Sequence, residues 1–408
     1  MPSIDEQVAL LMQGAAYGDE TLKQNMAAEL RQRLVDSQRE GRPLRVYCGY
    51  DPRTADLHIG HTITMRKLRQ FQEFGHDVTF LIGSYTSLVG DPTDQDRTRQ
   101  VLTPEQVEHN ARTYAQQAFK ILDPAKTKVR HNGEWLSELA LLDLIKIGQN
   151  FTIQQLLARE SFAKRFNDGN PIYVHETFYG LMQGYDAVAL KTDVQVGGTD
   201  QLWNIIVAGR KLQEFFGQRP LVGVITGLLP GTDGVVKMSK SLGNHIEILA
   251  APEDMYGKVM SLPDSAMPVY FRLVTRFTPP QIAEIERGLA DGSLHPRDVK
   301  MQLAREIVAI FHDATAAARA EEHFVTVFQR KDLPAEMPEL RLDSPVNIVD
   351  LIASANLAAS KSEARRLIEQ GGVKLNGVAV SSIAHVVEVN QEAVLQVGKR
   401  KYLRLLPK

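Results

Sequence analysis

The chain of 408 residues carries one cysteine, Cys48, so no disulfide can form within it and a packed core has to supply its stability, as in proteins of reducing compartments. It also lacks a strong charge of either sign. Lys and Arg number 47 against 49 Asp and Glu, and the formal net charge of −2 excludes whole-chain attraction to nucleic acid. No apolar run approaches the roughly 18 residues of a membrane span. Asp5 and Glu6 stand where a secretory signal would be basic. Repeats and low-complexity tracts are absent as well. The expectation is a cytoplasmic globular protein of two or three domains.

Two short strings stand out. His58-Ile59-Gly60-His61 follows an apolar, strand-like run, Leu44 to Tyr50, and opens a helix-like stretch from Thr62 to Phe74. Lys237-Met238-Ser239-Lys240-Ser241 lies in a loop flanked by Gly234 and Gly243. Histidines three apart on a first helical turn share a face, and free N–H groups and the positive dipole end add donors there. Gly60 between them lets a nucleotide approach the backbone. Lysines three apart in a glycine-flanked loop give two ammonium groups that can close over pyrophosphate. In this order the strings point to a site for ATP phosphates. Zinc at the histidines is disfavoured, because a third ligand is not evident nearby.

Along the chain, Leu22, Met26, Leu30 and Leu34 recur at helical spacing within residues 1–40. Strands at Val46–Tyr50 and Val78–Ile82 flank the helix Thr62–Phe74, a unit of a parallel sheet. Helices are expected at Leu102–Leu122, Trp135–Lys146 and Ile153–Phe166. A second unit runs from strand Val194–Val196 through Gly197-Gly198-Thr199-Asp200 into a helix Gln201–Phe216, then strand Leu221–Thr226. Pro252 to about Phe328 reads as helical, and Pro334, Pro338 and Pro345 mark a linker. In the tail, Ser360-Lys361-Ser362-Glu363 is a capping box, Gly371-Gly372 a helix stop and Asn376-Gly377 a tight hairpin. From Val346 to Lys408 nine Lys or Arg face five Asp or Glu. That tail is +4 and the rest of the chain −6, an asymmetry that suits an RNA contact.

The chain resembles the bacterial tyrosyl-tRNA synthetases, class I aminoacyl-tRNA synthetases. The matching segments are Tyr47-Cys48-Gly49-Tyr50-Asp51-Pro52 with His58–His61, Gly90-Asp91-Pro92, Tyr179 to Asp186, Gln195 to Gln201, and Lys237–Ser241. The tail resembles a small RNA-binding module first described in a ribosomal protein. The resemblance implies an α/β architecture: a Rossmann-like parallel-sheet catalytic domain (1–245) with a helical insertion (about 119–178), an α-helical anticodon-recognition domain (246–333), a linker (334–345) and a small α+β RNA-binding domain (346–408).

It implies that tyrosine is activated with ATP to tyrosyl-AMP and passed to the 3′ end of its tRNA. ATP would carry Mg2+, and neither a tightly bound cofactor nor a protein metal site is expected. By the same carry-over, Tyr47 and Asp186 meet the phenol, with Asp186 ionised. Asp91, Tyr179 and Gln183 meet the ammonium, with Thr86 nearby, and Gln201 lies near the α-carboxylate. Asp51, Gly60, Gly198 and Asp200 face adenosine. His58, His61, Lys237 and Lys240 are catalytic, and Met238 and Ser239 complete the loop. Cys48 is either a weak ribose contact or a packed strand residue. Tyr179, Gln183 and Asp186 share a helix face by spacing, which supports a pocket wall independently. Arg53 stands where the family commonly has threonine, so its role is open. A homodimer is expected, joined through the insertion, where Leu136, Leu139, Leu142 and Ile145 recur. The competing readings are a tryptophanyl-type synthetase and a synthetase-like RNA-binding protein without catalysis.

Overall fold

A computed structural model describes residues 2–52, 56–92, 103–329, 337–342, 344–389, 392–398 and 401–407. Arg53, Thr54, Leu102, Pro334, Lys399, Arg400 and Lys408 lie outside the described residues. Contacts divide the chain into two units, Met1–Glu321 and Glu322–Lys408.

The first unit is built on five parallel strands: β1 (Arg45–Tyr50), β2 (Asp77–Ile82), β3 (Thr127–His131), β4 (Val194–Gly198) and β5 (Val222–Thr226). Their order is β3-β2-β1-β4-β5. Helices cover both faces, so the central strands are apolar runs rather than alternating ones; β5 is buried throughout. The order reverses between β1 and β4, and the crevice beyond their carboxyl ends is where such sheets bind ligands. The loop after β1, the short helix Thr86–Val89 after β2 and the turn closing β4 all open there.

β3 lies inside the span expected to be a purely helical insertion, 119–178. It pairs with β2 from Val78 opposite Thr127 to Ile82 opposite His131. As an edge strand it exposes Lys128, Val129 and Arg130, so it has no apolar run to announce it. The stretch Trp135–Lys146 is two helices, Gly133–Leu136 and Leu141–Gly148, because Ala140 is extended. Ile153–Phe166 likewise breaks into Ile153–Leu157 and Glu160–Asn167 at an extended Arg159. After β4 the chain makes a 3-10 turn, Thr199–Gln201, then a π-helical segment, Trp203–Gly209, and only then the α-helix Arg210–Phe215.

Asp193, at the entry to β4, pins the sheet to its cover. It accepts from Arg33 on helix Glu20–Glu40 at 3.2 Å, from Arg42 at 2.8 Å and from the backbone N–H of Arg45 at 2.9 Å. Lys67, buried in helix Thr62–Glu73, donates to the Leu10 carbonyl at 2.7 Å and to Gln70 at 3.0 Å. Burial, with the nearby charge of Arg66, lowers its pKa to about 7.

Two observations bear on the expected boundary at 245/246. The backbone of 246–248 hydrogen-bonds that of 57–59 (Ile59 N to Ile246 O, 2.9 Å; Ile248 N to Leu57 O, 3.2 Å), so a boundary at 245 cuts through one backbone pairing. Helices from Pro252–Met260 to Pro296–Phe311 belong to the same compact unit, and Arg66 donates to the Thr275 carbonyl at 3.0 Å.

The second unit contains β6 (Glu339–Leu342), β7 (Val346–Asn347), β8 (Val373–Leu375), β9 (Val378–Ala379), β10 (Val386–Val387), β11 (Ala393–Val397) and β12 (Lys401–Pro407). One sheet runs β6-β12-β11-β8-β9, and β10 pairs with β7. Its own core includes Ile348, Ile352, Leu395 and Leu405. The expected linker 334–345 therefore contains a strand: Leu340 and Leu342 alternate onto that core, a two-residue signal masked by flanking charge. The tail helix is Lys361–Glu369. Ser360 Oγ accepts from Glu363 N as the capping pattern requires, but Glu363 reaches Ala359 N rather than Ser360 N. Asn376 and Gly377, at φ 50° and 80°, form the primed turn between β8 and β9.

Candidate active site

The two signature strings touch. The pairing of 57–59 with 246–248 draws them together, and a Cβ on Gly60 would meet the His58 ring at 3.0 Å and Met238 Cβ at 3.7 Å. A side chain at Gly60 would crowd the His58 ring, while its contact with Met238 would be ordinary. Met238 is buried, and its N–H donates to the Leu229 carbonyl at 2.9 Å. Ser239 N–H donates to Asn244 Oδ1 at 2.8 Å, and Asn244 donates to Asp233 at 2.6 Å, so the loop is tied at both ends. Lys237 Nζ stands 3.8 Å from Asp200 and Lys240 Nζ 3.5 Å from Asp56.

His61 Nδ1 accepts from the His58 backbone N–H at 3.2 Å, which leaves Nε2 to carry the proton of the neutral ring. The two rings lie 3.8 Å apart between centroids. Burial first, then the charges of His61, His245, Lys240 and Lys237, lowers the His58 pKa to about 3. Cations have been gathered at this end of the crevice. His245 was not signalled by the sequence reading; its Nε2 lies 3.1 Å from Glu247.

The other end is made of carboxylates and amides. Thr86 Oγ1 donates to Asp51 at 2.8 Å, and the Tyr179 hydroxyl donates to the other Asp51 oxygen at 3.1 Å. Asp51, expected beside adenosine, is therefore wired to two residues expected at the tyrosine ammonium. A Cβ on Gly83 would fall 2.0 Å from Asp51 and 2.5 Å from Thr86, so this glycine is what lets the pair form. Gln201 Nε2 donates to Asp91 at 2.7 Å, joining a residue expected at the carboxylate to one expected at the ammonium. Gly198 leaves room for the Asp200 carboxylate, 2.5 Å from where its Cβ would lie.

Asp186 sits on helix Val174–Ala189 with Tyr179 and Gln183, as the spacing implied. It is buried, as is Tyr47 on β1. Trp135 Nε1 donates to Asp186 Oδ1 at 2.8 Å and Asn132 Nδ2 to Oδ2 at 3.3 Å. Asn132 also donates to Thr86 at 3.1 Å, linking the two ends of this wall. Both donors come from the carboxyl end of β3, the strand the sequence did not announce; Trp135, one of two tryptophans in the chain, was the available signal. Burial raises the Asp186 pKa to about 8, opposed by those two hydrogen bonds and aided by the Asp51 charge. Burial thus favours the neutral carboxyl at this position, against the two donors that favour the ionised form. The Tyr47 hydroxyl makes no hydrogen bond among the described residues, and burial, with the Asp186 charge, pushes its pKa well up. Cys48 is buried, and burial raises its thiol to about 11, which makes it an inert packed residue.

The sequence profile of the tRNA synthetases class I (W and Y) matches residues 39–329, and that of the tyrosine–tRNA ligase SYY-like C-terminal domain matches 329–405. The tyrosine–tRNA ligase of Moorella thermoacetica is 48% identical over 98% of this chain and 96% of its own. That of Thermotoga maritima is 47% identical over 94% and 96%. The chain belongs to the tyrosyl-tRNA synthetase family. Among solved structures, Archaeoglobus fulgidus tyrosyl-tRNA synthetase complexed with L-tyrosine shares the fold, with a TM-score of 0.60 at 23% identity over 78% of this chain and 100% of its own. A Giardia lamblia tryptophanyl-tRNA synthetase shares it at 0.54 and 17%, over 71% and 82%. The tryptophanyl reading therefore has the architecture in its favour but not the close relatives.

The raised Asp186 pKa has a stability consequence for this synthetase. From the ordinary value of 3.8 up to about 8, the folded carboxyl keeps a proton that the unfolded one has released. Stability thus falls as pH rises across that window and levels off above it. Asp186→Asn lacks this slope. Its melting temperature, whatever its constant offset from wild type, should gain on the wild type between pH 5 and pH 8 and then run parallel. A constant difference from pH 5 to pH 9 would show that Asp186 ionises normally.

Proposed function

We propose that this crevice performs tyrosine activation and transfer with its residues divided by charge. As a tyrosine–tRNA ligase the chain joins tyrosine to ATP as tyrosyl-AMP and then esterifies tRNA. In this reading Asp51, Asp91, Tyr179 and Gln183 receive the ammonium, and Tyr47 and Asp186 exchange hydrogen bonds with the phenol. A neutral Asp186 can donate as well as accept, so the phenol finds a partner in either sense. Phenylalanine would leave the Tyr47 hydroxyl buried without a partner and give Asp186 nothing beyond Trp135 and Asn132.

Lys237, Lys240, His58 and His61 face the triphosphate and stabilise charge as it builds on the leaving pyrophosphate. Asp200 and Asp56 hold the lysines beforehand and release them as phosphate enters. Mg2+ carried on the ATP supplies further charge neutralisation. The Asp200 and Asp56 carboxylates stand beside the two lysines. The observation that carries the reading is the contact between the two signature strings at one end of a crevice whose other end is lined with acceptors.

Tyrosine-dependent exchange of pyrophosphate into ATP tests it. Tyrosine, and not tryptophan, should support exchange. Lys237→Ala and Lys240→Ala should each lower kcat by about 10- to 100-fold, the usual cost of removing one donor to a developing charge, with tyrosine affinity unchanged. Exchange driven by tryptophan, or a tenfold loss of tyrosine affinity at normal turnover, would overturn the assignment.

A homodimer belongs to the same proposal. Leu136 is buried and Leu139 packs inward against Ile147, Leu156 and Leu181, so these two of the four expected interface residues serve the core. Leu142 and Ile145 remain 61% and 56% exposed, and Leu141, Ile153, Phe166 and Val174 are more exposed still. That much bare apolar surface on one insertion needs a cover. Leu142→Asp with Ile145→Asp should give a monomer by light scattering at micromolar concentration, with the fold intact. A dimer of unchanged stability would place the interface elsewhere.

The tail supplies the tRNA contact in this reading, in the cytoplasm. Arg365 and Arg366 are exposed on the tail helix, and Lys361, also exposed, pairs with Asp350 at 2.7 Å. Arg404 is engaged by Glu339 and Glu392 at 3.4 and 3.1 Å, so the helix is the better phosphate-facing element. Ending the chain after Gln329 should preserve pyrophosphate exchange while lowering tRNA charging, and the loss should deepen with salt. Equal losses of both activities with a lower melting temperature would make the tail a structural prop.

A further inference from the structure

One buried amide joins two of the residues just assigned to tyrosine. Asn204 lies in the π-helical segment Trp203–Gly209 and is 1% exposed. Its Nδ2 donates to Gln183 Oε1 at 2.9 Å and to Gln201 Oε1 at 2.8 Å. Gln201 in turn donates from Nε2 to Asp91 at 2.7 Å.

The polarity of this chain is dictated from one end. A carboxylate can only accept, so Gln201 must turn its amide nitrogen to Asp91 and its carbonyl to Asn204. Asn204 must then present its nitrogen, and Gln183 must meet it with a carbonyl. Reversing Asn204 or Gln201 sets oxygen against oxygen, and reversing Gln183 sets nitrogen against nitrogen. We propose that Asn204 is a positioning residue of the tyrosine site, which sets the rotamer and the amide orientation of Gln183 and Gln201 together and so aims Asp91.

The surroundings are built for this side chain. A Cβ on Gly180 would lie 2.8 Å from Asn204 Oδ1, 2.8 Å from the Trp203 ring and 3.2 Å from Arg159 Nη1, so the glycine clears the space the amide occupies. Asn204 Oδ1 is buried and makes no hydrogen bond among the described residues. A side chain kept only for stability would not leave an acceptor orphaned in the interior. The widened π turn seats Asn204 so that one nitrogen reaches both glutamines, one in the 3-10 turn just before it and one across on helix Val174–Ala189.

The proposal rests on Gln183 and Gln201 serving tyrosine, and the test separates the two claims. Tyrosine and ATP KM values, kcat and melting temperature are measured for Gln183→Ala, Gln201→Ala, Asn204→Ala, Asn204→Asp and the Gln201→Ala/Asn204→Ala double variant. Asn204→Ala should raise the tyrosine KM about tenfold and leave the ATP KM unchanged, the scale of one lost hydrogen bond to a buried site. Asn204→Asp should do more, about a hundredfold, because its oxygens face both glutamine carbonyls or force Gln201 to turn its own carbonyl onto Asp91. The double variant should lose less than the two single losses combined, since both changes cut the Asn204–Gln201 linkage and only the Gln183 linkage is lost in addition. Asn204→Ser, which keeps a donor, should fall between wild type and Asn204→Ala, and it keeps the test alive if the aspartate variant does not fold. Unchanged tyrosine KM in both glutamine variants would refute the site reading and this proposal with it. Raised KM in those variants, but additive losses in the double variant, or a lower melting temperature at unchanged KM in Asn204→Ala, would refute the positioning role alone.

Discussion

A carboxyl oxygen held away from water needs a hydrogen-bond donor, and one end of this crevice gathers three carboxyl groups, Asp51, Asp91 and Asp186. Each must be met by donors, and those donors determine much of the local architecture. Thr86 and Tyr179 turn their hydroxyls to Asp51, Gln201 turns its nitrogen to Asp91, and Asn132 and Trp135 converge on Asp186. The demand reaches into the backbone. Gly83 has no side chain because one would collide with the Asp51–Thr86 pair. Edge strand β3 extends far enough to bring Asn132 to Asp186, and the helix after β4 widens by a π turn at Asn204.

The phosphate end is built on the opposite constraint. Lys237, Lys240, His58, His61 and His245 are brought close, and their mutual repulsion, added to burial, holds His58 neutral. Asp56 and Asp200 are the internal substitutes for a polyanion, at ion-pair distances long enough to yield. A crevice with acceptors at one end and crowded cations at the other is preorganised for a molecule that is positive at one end and for a nucleotide that is negative at the other. The field needs no rearrangement at the moment of reaction. The raised Asp186 pKa fits the same economy, since a third full negative charge beside Asp51 would be costly to bury.

Much of this was legible in the sequence because it rests on short strings with backbone consequences. The strand before His58 and the Asn376-Gly377 hairpin each need particular residues at particular places, and both formed where expected, whereas Gly197 and Gly198 extend β4 and the turn comes at Thr199–Gln201. The spacing of Tyr179, Gln183 and Asp186 put them on one helix. The features that stayed hidden carry no periodic signature. β3 is an exposed edge strand of Lys, Val and Arg, and β6 is four residues among prolines and charges. Periodicity reports which face of an element is buried, and an element with little buried face gives it nothing to report.

The hydrogen-bond wiring was hidden for a related reason. Asn132, Asn204 and Gly83 act through contacts with residues distant in sequence, and an isolated asparagine reads as a turn or a cap. Trp135 was read only as a helix position, although a buried indole N–H requires an acceptor and so points to a partner somewhere. The catalytic signatures are legible because ATP chemistry demands them locally. The residues proposed to select the amino acid are spread over β1, β2, β3, helix Val174–Ala189 and the π segment, and their grouping becomes visible only when the sheet brings those five elements to one edge.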